Sequence, residues 1–245
     1  MSEDVTKVLT IDIGGSHIKA TILNHKGEMI IEYQKLATPA SATPETVLET
    51  IIELTKNFPH FDKVSVGFPG YVKNGIVKTA PNLNHKAFKN NPFAQAIAKA
   101  FKKPVRLVND ADLQGLGVIE GNGLEMVITL GTGFGTALFM DGKLLPHLEL
   151  AHLPVRKGKD YDAYIGNAAL QKDGLTKWNV KIKEVLKTFK NVINYDTLYL
   201  SGGNTKKIDF KLEDNIKKIG NRDGIKGGLD LWKEDDGYCV KTVNP

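Results

Sequence analysis

Two strands joined by a glycine-rich turn occur twice in this sequence, and this repeated unit restricts the possible folds more than any other feature. The first unit has apolar strands over Val8–Ile13 and His17–Leu23. The second has strands over Glu125–Leu130 and Thr136–Met140. Strands alternate with helices around both units, which predicts an α/β architecture of two similar halves with a cleft between them.

The remaining apolar patterns complete this two-part organisation. They predict strands at Met29–Tyr33, Val64–Phe68, Val105–Val108, Leu144–Leu145 and Thr197–Leu200. They predict helices beginning at Pro44 and spanning Pro92–Phe101, Ala111–Glu120, Leu175–Ile193 and Ile225–Trp232. We expect one lobe over residues 1–108 and a second over 109–224, with a C-terminal helix in residues 225–245 returning to the first lobe.

Composition limits the class of protein. Of 245 residues, 41% are hydrophobic and 25% charged, the balance of a globular protein. The single cysteine, Cys239, excludes an internal disulfide and a cysteine-cluster zinc site. No apolar run approaches the ~20 residues that cross a bilayer, and the first residues lack signal-peptide features. We therefore expect a cytoplasmic protein.

Positive charge is concentrated in one part of the chain. Residues 156–226 hold sixteen Lys or Arg against nine Asp or Glu, whereas the whole chain has a net charge of +5. This segment suits a polyanion, although a solvated face of lysine-rich helices is an equally good interpretation. Nucleic acid is a weaker candidate because the lysines are not interleaved with aromatic residues.

The turn of the first unit contains residues that suit a phosphate group. Gly14 and Gly15 allow the backbone to approach an anion closely, Ser16 adds a hydroxyl, and Lys19 adds a positive charge. Asp12, at the end of the preceding strand, could hold a hydrated Mg²⁺. A plain tight hairpin with an acid beside it is the alternative.

The turn of the second unit follows the same logic. Gly131, Thr132, Gly133 and Gly135 place three glycines within five residues. Three glycines in a strand pair are unfavourable unless a ligand approaches closely, although a bulge could explain one of them. No Gly-Lys-Ser/Thr follows, and the next element is a strand, so the turn is neither a Walker loop nor a dinucleotide fingerprint.

Two further groups of polar residues could carry chemistry. Asn109 and Asp110 stand where a strand ends and a helix begins, so Asp110 could accept a proton from a substrate hydroxyl, or either residue could cap the helix. Glu149 and His152 are three residues apart and on one helical turn would face the same way. They could bridge two sugar hydroxyls, or form half of a metal site.

Taken together, these motifs resemble the ROK family of sugar kinases and sugar-responsive repressors. The matching motifs, in order, are Asp12-x-Gly-Gly-Ser-x-x-Lys19, Gly67-x-Pro-Gly70, Asn109-Asp-Ala111, Gly131-Thr-Gly-x-Gly135, Glu149-x-x-His152 and Ser201-Gly-Gly203. The stretch from Leu148 to Tyr161 is similar to the polyphosphate glucokinase branch. The resemblance implies a two-lobed, actin-like (ribonuclease H-like) α/β fold with the active site in the interlobe cleft.

The resemblance also implies roles for individual residues. Asp110 would be the general base, and the sugar would contact Gly70, Asn82, Asn109, Asp110, Glu149 and His152. The phosphates would contact Asp12, Gly14, Gly15, Ser16, Lys19, Gly131, Thr132, Gly133 and Gly135. An adenosine would lie near Gly202 and Gly203. Apart from the resemblance, the surplus of positive charge after residue 156 predicts donor-side contacts at Arg156, Lys157 and Lys159, over which a long polyphosphate chain would leave the cleft, with the lysine-rich helix from Leu175 extending its track. Asp12 would hold Mg²⁺ through water.

The sequence departs from the family at one point with consequences for binding. The cysteine-rich zinc motif after the Glu-x-Gly-His element is missing, as is the glutamate that follows it, so one sugar contact must be replaced or lost. The family's glycine is Ala151 here.

The expected function is transfer of a phosphoryl group from polyphosphate, ATP or both to the 6-hydroxyl of glucose, by a homodimer. The alternatives are an ATP-dependent kinase for mannose, fructose or an N-acetylhexosamine, or a non-catalytic sugar-binding regulator. Family repressors carry a helix-turn-helix before the first glycine turn, where this sequence has about seven residues. A repressor is therefore the weakest alternative.

Overall fold

Two mixed β-sheets form the frame of the molecule, and the computed structural model describes residues 6–156 and 158–245. In chain order the strands are β1 (Val8–Ile13), β2 (His17–Leu23), β3 (Gln34–Ala37), β4 (Lys63–Phe68), β5 (Val72–Lys73), β6 (Ile76–Val77), β7 (Val105–Asn109), β8 (Leu124–Leu130), β9 (Phe134–Met140), β10 (Lys143–Leu144), β11 (Pro154–Arg156), β12 (Lys159–Asp160), β13 (Thr197–Ser201), β14 (Ile216–Lys218) and β15 (Thr242–Val243).

Helices connect and cover these strands. They are α1 (Pro44–Thr55), α2 (His85–Phe88), α3 (Phe93–Phe101), α4 (Asp110–Leu116), α5 (Tyr161–Ile165), α6 (Asn167–Asp173), α7 (Leu175–Ile193), α8 (Asn221–Gly224) and α9 (Gly227–Asp230). Two short 3₁₀ turns span Leu150–His152 and Gly203–Lys207. No helix in the described ranges is long and apolar enough to span a bilayer.

The two sheets repeat one arrangement. The first has the strand order β15-β7-β4-β1-β2-β3, and the second has the order β10-β9-β8-β13-β14. In each sheet the first strand of an antiparallel hairpin (β1–β2 or β8–β9) also pairs with a parallel strand on its other side. This strand is β4 in the first sheet and β13 in the second. The repeated unit predicted from the sequence is therefore confirmed, and both glycine turns lie at the carboxyl ends of β1 and β8.

Each sheet has its own apolar core, and α4 lies where the two meet. The helix packs against β4 of the first sheet and against β8 and β9 of the second. A Cβ on Gly67 of β4 would lie 3.0 Å from Leu113, and a Cβ on Gly115 would lie 2.4 Å from the Phe139 ring. Both glycines thus allow contacts that any larger side chain would prevent.

Most predicted elements are confirmed, including the cap of α1. The Thr43 hydroxyl accepts a hydrogen bond from the Thr46 backbone amide, and the Thr46 hydroxyl accepts one from the Thr43 amide. The long amphipathic helix is found as predicted at Leu175–Ile193.

The third strand was predicted wrongly at Met29–Tyr33, since β3 spans Gln34–Ala37. The apolar pattern of the predicted strand reflects core packing, because Ile31 packs against the first core while β3 is exposed along its whole length. The helix predicted to reach Glu120 ends at Leu116, because Glu125 accepts hydrogen bonds from the backbone amides of Glu120 and Gly121 instead.

The C-terminal segment returns to the first sheet, but not as the single helix predicted for residues 225–245. It forms the short helix α9 and then β15, which pairs antiparallel with β7. The buried Arg106 guanidinium fixes this segment by donating hydrogen bonds to the carbonyls of Leu231 and Glu234 and to the Thr242 hydroxyl. The Ser65 hydroxyl donates to the Gly228 carbonyl at 2.6 Å.

Gly228→Ala tests how tightly this segment packs on β1. A Cβ on Gly228 would lie 2.0 Å from the Thr10 hydroxyl, so we expect the free energy of unfolding to fall by about 1–3 kcal/mol, as for overpacked cores. Gly237→Ala is the matched control, because no atom lies within 4 Å of its added Cβ. Urea denaturation measures both, and equal stability of the two variants would contradict this packing.

Candidate active site

A cleft of about 220 Å³ lies between the two sheets and brings together most of the residues singled out from the sequence. The predicted residues that line it are Asp12, Gly14, Gly15, Ser16, Lys19, Gly70, Asn82, Asn109, Asp110, Gly131, Thr132, Gly133, Gly135, Glu149, His152, Gly202 and Gly203. Six separate motifs thus form one continuous wall.

The predicted donor-side cations are the exception. Arg156 and Lys159 lie on the β11–β12 pair and do not line the cleft. The Arg156 guanidinium is 3.6 Å from the Glu184 carboxylate and lies over the Tyr164 ring. Lys157 lies outside the described residues.

The two glycine turns face each other across the cleft. The hydroxyl oxygens of Ser16 and Thr132 are 3.5 Å apart. A Cβ on Gly15 would lie 3.3 Å from the Asn82 carbonyl oxygen, and one on Gly133 would lie 3.2 Å from the Asn82 side-chain nitrogen. Asn82, expected at the sugar, therefore lies between the two turns.

The second turn is fixed from outside by two side chains that the sequence did not single out. The Asp162 carboxylate accepts a hydrogen bond from the Phe134 amide at 2.6 Å, and the Asn204 side chain donates to the Gly131 carbonyl at 3.0 Å. Next to this turn, Gly202 has a φ of +95°, and a Cβ there would lie 2.4 Å from the Leu130 carbonyl oxygen. Only glycine fits at this position.

Asp12 and Lys19 form an ion pair at the first turn. They are register partners on β1 and β2, and Lys19 Nζ is 3.1 Å from Asp12 Oδ2. The charge of Asp12 outweighs burial and raises the pKa of Lys19. Asp12 also lies close enough to Asp110 for its charge to affect the pKa of that carboxyl group. The Asp12 carboxylate beside the first glycine turn could hold a hydrated Mg²⁺, which usually takes one or two protein carboxylates plus phosphate oxygens.

The sequence left two roles open for Asn109 and Asp110, which are capping the helix and accepting a proton. The structure gives the capping role to Asn109. Asn109 is the N-cap of α4, and its Oδ1 accepts from the Ala111 amide at 2.7 Å. Its Nδ2 donates to the carbonyls of Phe68 and Gly70. Both amide hydrogens are therefore used, and a sugar hydroxyl could only donate to the remaining lone pair of Oδ1.

Asp110 begins α4 and faces the cleft. Burial, reinforced by the charge of Asp12, raises its pKa to about 7, although the Ala111 amide and His147 oppose this shift. A carboxyl group with a pKa near the working pH is well suited to accept and release a proton.

Glu149 and His152 lie side by side on a single 3₁₀ turn, as their spacing predicted. Glu149 Oε2 is 3.5 Å from His152 Nε2, and Glu149 Oε1 accepts a hydrogen bond from the Thr79 hydroxyl at 3.2 Å. Close to Thr79 lies Gly70, where a Cβ would be 2.1 Å from the Thr79 carbonyl oxygen. No local pattern indicated Thr79, because it comes from a distant loop.

Three further titratable residues of this region were missed. His147 Nδ1 is 3.0 Å from the buried Asp112 carboxylate, and His152 Nδ1 is 2.9 Å from that of Asp160. The alternation of imidazoles and carboxylates over residues 147–152 could have indicated His147, since it lies two positions before Glu149. Across the described ranges, no three His, Cys, Asp or Glu side chains are arranged to hold a metal ion.

Comparison with known proteins identifies relatives over most of the chain. The polyphosphate glucokinase of Mycobacterium tuberculosis (strain ATCC 25618 / H37Rv) is 35% identical over 208 residues, which cover 81% of this chain and 78% of the relative. The N-acetylmannosamine kinase of Escherichia coli (strain SE11) is 30% identical over 142 residues, covering 56% of this chain and 48% of the relative.

Solved structures have the same fold. The inorganic polyphosphate/ATP-glucomannokinase from Arthrobacter sp. strain KM superposes with a TM-score of 0.83 at 30% identity, covering 91% of this chain and 97% of that one. A ROK family glucokinase from Streptomyces griseus, in complex with glucose and AMPPNP, gives a TM-score of 0.79 at 18% identity, with coverages of 92% and 98%. The predicted actin-like fold is confirmed.

The family profile described as "ROK family" matches residues 8–173, which is more than half of the chain. Both glycine turns, the Asn109-Asp110 junction and the Glu149–His152 pair fall inside this range. Together with 35% identity over four-fifths of the chain, the match shows that this protein belongs to the ROK family.

Proposed function

We propose that this protein is a kinase that transfers a phosphoryl group from polyphosphate or ATP to the 6-hydroxyl of glucose. The observation that carries the proposal is the position of Asp110, a carboxyl group with a pKa near 7 in a cleft lined by the Glu149–His152 pair and by two glycine turns. The names of the M. tuberculosis and Arthrobacter relatives support the choice of sugar and donors.

In the proposed mechanism the sugar lies against Asn109, Glu149 and His152, with its 6-hydroxyl directed at Asp110. Asp110 accepts the hydroxyl proton as the oxygen attacks phosphorus, while the two glycine turns and Lys19 hold the phosphate oxygens. Asp12 would hold a hydrated Mg²⁺, which when bound neutralises phosphate charge.

Asp162 is our candidate for the sugar contact that the missing family glutamate leaves open. It lines the cleft. Burial raises its pKa, and the charges of Glu149 and His152 lie close enough to affect that pKa as well. Its Oδ1 accepts from the Phe134 amide, so Oδ2 would be the oxygen that accepts from the sugar.

Three further proposals concern the whole molecule. The lobes would be residues 1–108 with the C-terminal segment and residues 109–224, closing on the bound sugar to exclude water. A homodimer is proposed from the family resemblance, and a cytoplasmic location from the single cysteine.

A coupled assay that crosses a panel of hexoses with ATP and polyphosphate tests the function as a whole. We expect glucose 6-phosphate from glucose with at least one donor. The relatives' names include a glucomannokinase and an N-acetylmannosamine kinase, so mannose and N-acetylmannosamine belong in the panel. If another hexose is phosphorylated and glucose is not, that hexose takes the place of glucose in this proposal. If no hexose is phosphorylated, the proposal is overturned.

Asp110→Asn tests the general base. We expect kcat to fall by about 10²–10⁴-fold, the usual contribution of general-base catalysis, while the glucose KM changes little. Asp214→Asn, at an exposed position outside the cleft, is the matched control. Retention of more than about a tenth of wild-type kcat would rule out Asp110 as the base.

Glu149→Gln and His152→Ala test the sugar contacts. A buried hydroxyl that loses its partner costs about 1–3 kcal/mol, so we expect the glucose KM to rise by about 5- to 150-fold in each variant. The KM for the donor should stay within about twofold, since neither side chain belongs to a glycine turn. A glucose KM unchanged in both variants would make this pair structural.

We propose that a polyphosphate chain leaving the cleft runs over Lys206 and Lys207 rather than over Arg156. These exposed lysines lie on the 3₁₀ turn that begins at Gly203, which itself lines the cleft. Several lysines of α7 are occupied locally, since Lys181 contacts Asp173 and Lys190 donates to the Tyr195 carbonyl. A polyphosphate chain leaving the donor side would meet Lys206 and Lys207 first.

Replacing both lysines with glutamine should therefore weaken polyphosphate use more than ATP use. For nucleic acids, each phosphate contact adds roughly 0.7–0.9 to the slope of log affinity against log salt concentration. Loss of two contacts should therefore reduce the magnitude of this slope for polyphosphate by about one to two. The measurement is kcat/KM for each donor over a salt series. The control is the double variant Lys99→Gln/Lys102→Gln, at the C-terminal end of α3. Equal salt slopes for wild type and the Lys206/Lys207 variant would contradict the track.

A further inference from the structure

Five side chains of alternating charge form a continuous chain, and its three central members line the cleft. Asp112 Oδ1 is 3.0 Å from His147 Nδ1, and His147 Nε2 is 3.7 Å from Glu149 Oε1. Glu149 Oε2 is 3.5 Å from His152 Nε2, and His152 Nδ1 is 2.9 Å from Asp160 Oδ2. Glu149 is the central member, with an imidazole beside each of its two oxygens.

We propose that His147 is a positioning residue for the sugar, which acts through Glu149 by orienting its carboxylate. The inference rests on the proposed function, since it assigns Glu149 to a sugar hydroxyl. It adds a residue that lies outside the motifs by which the chain resembles its family.

His147 is held too firmly to serve as a mobile group. Its side chain is 8% exposed, and the Asp112 carboxylate that accepts from Nδ1 is 3% exposed. The Tyr71 ring stacks on the imidazole with 6.0 Å between centroids and 15° between planes. With one nitrogen committed to Asp112 and one face covered by Tyr71, the Nε2 edge is directed at Glu149.

The contacts at Glu149 leave room for a ligand. Separations of 3.5 and 3.7 Å are longer than the 2.7–3.2 Å of ordinary hydrogen bonds, so the imidazoles act on Glu149 mainly through charge. A carboxylate can accept about four hydrogen bonds, and Thr79 provides one donor. Lone pairs of Glu149 therefore remain to accept from sugar hydroxyls.

The charges around His147 favour its protonated form. Burial opposes protonation, but the carboxylates of Asp112 and Glu149 outweigh it and raise the pKa of His147 to about 10. Burial likewise favours protonation of Glu149, but the nearby charges of His147 and His152 lower its pKa. The other titratable groups near His147 are Asp110, Tyr71, Lys73, Tyr238 and Cys239.

His147 also connects the sugar contact to the helix of the proposed base. Asp112 lies on α4, two residues after Asp110, and is almost fully buried. The Asp112–His147 pair thus sets Glu149 at a fixed position relative to Asp110. The link would therefore hold Glu149 at its sugar-binding position, so its loss should appear in the glucose affinity.

A double-mutant cycle separates action through Glu149 from direct contact, because the His147 ring also reaches the cleft wall. The variants are His147→Asn, Glu149→Gln and the two combined, with glucose affinity measured by calorimetry and by KM. We expect His147→Asn to raise the glucose Kd by at least about tenfold when Glu149 is present, with kcat and the donor KM changed by less than about threefold. In the Glu149→Gln background, it should add less than about threefold.

Additive effects in the cycle would overturn the inference, because His147 would then act independently of Glu149. An unchanged glucose Kd in His147→Asn would overturn it as well. His60→Asn is the matched control, since His60 pairs with Asp62 at 3.0 Å on the surface, outside the cleft. It should leave both constants at their wild-type values.

A second variant keeps the test decisive if stability is lost. His147→Asn leaves the buried Asp112 carboxylate without its cation, which is destabilising, whereas Asp112→Asn/His147→Asn removes both charges. The same cycle on that variant should give the same loss of glucose affinity. If neither variant folds at 25 °C, His147 is a structural residue and the inference fails.

The outcome for wild type distinguishes this inference from the proposed function. If wild type phosphorylates glucose and the cycle is additive, only the role of His147 is wrong. If wild type neither binds nor phosphorylates glucose, the proposed function fails and the role of His147 fails with it.

Discussion

The close packing of α4 between the two sheets is the contact on which the rest of the structure depends. A Cβ added to Gly67 on β4 would lie 3.0 Å from Leu113 of α4. A Cβ added to Gly115 on α4 would lie 2.4 Å from the Phe139 ring of the second sheet. Gly227 extends this packing to the C-terminal segment, since a Cβ there would lie 1.8 Å from the Leu113 carbonyl oxygen. A larger residue at any of these positions would separate the helix from one of its partners.

This packing determines what α4 presents to the cleft. Its N-cap Asn109 is hydrogen-bonded to the first sheet's loop, and its first residue is Asp110. One turn later, Gln114 lines the cleft and accepts a hydrogen bond from the Ser201 hydroxyl at 3.0 Å. Asp112, between them, pairs with His147. A single short helix therefore carries the proposed base and contacts, through Gln114 and Asp112, two other parts of the cleft wall.

Features with strong local patterns could be predicted from the sequence. The paired hairpins follow from continuous apolar runs interrupted by glycines, and α7 follows from its apolar stripe. Most of the predicted site residues meet in one cleft, because motifs at the carboxyl ends of neighbouring strands converge there.

Features that depend on distant contacts could not be predicted. β3 is exposed on every residue and carries no apolar alternation. Thr79 contacts Glu149 and Tyr71 stacks on His147, both from the first half of the chain. No local sequence pattern indicates contacts between such distant segments. The expected donor track over Arg156 relied on net charge alone, and net charge does not tell which cations lie at the cleft: Arg156 does not line it.

The central claim is that α4 places the Asp110 carboxylate at the 6-hydroxyl of a glucose held by Glu149 and His152. A crystal structure of the protein with glucose tests it most directly. The account predicts an Asp110 oxygen about 2.6–3.2 Å from the glucose 6-hydroxyl oxygen, the range for proton transfer, with Glu149 and His152 on other hydroxyls. Glucose bound elsewhere, or with its 6-hydroxyl directed away from Asp110, would contradict it.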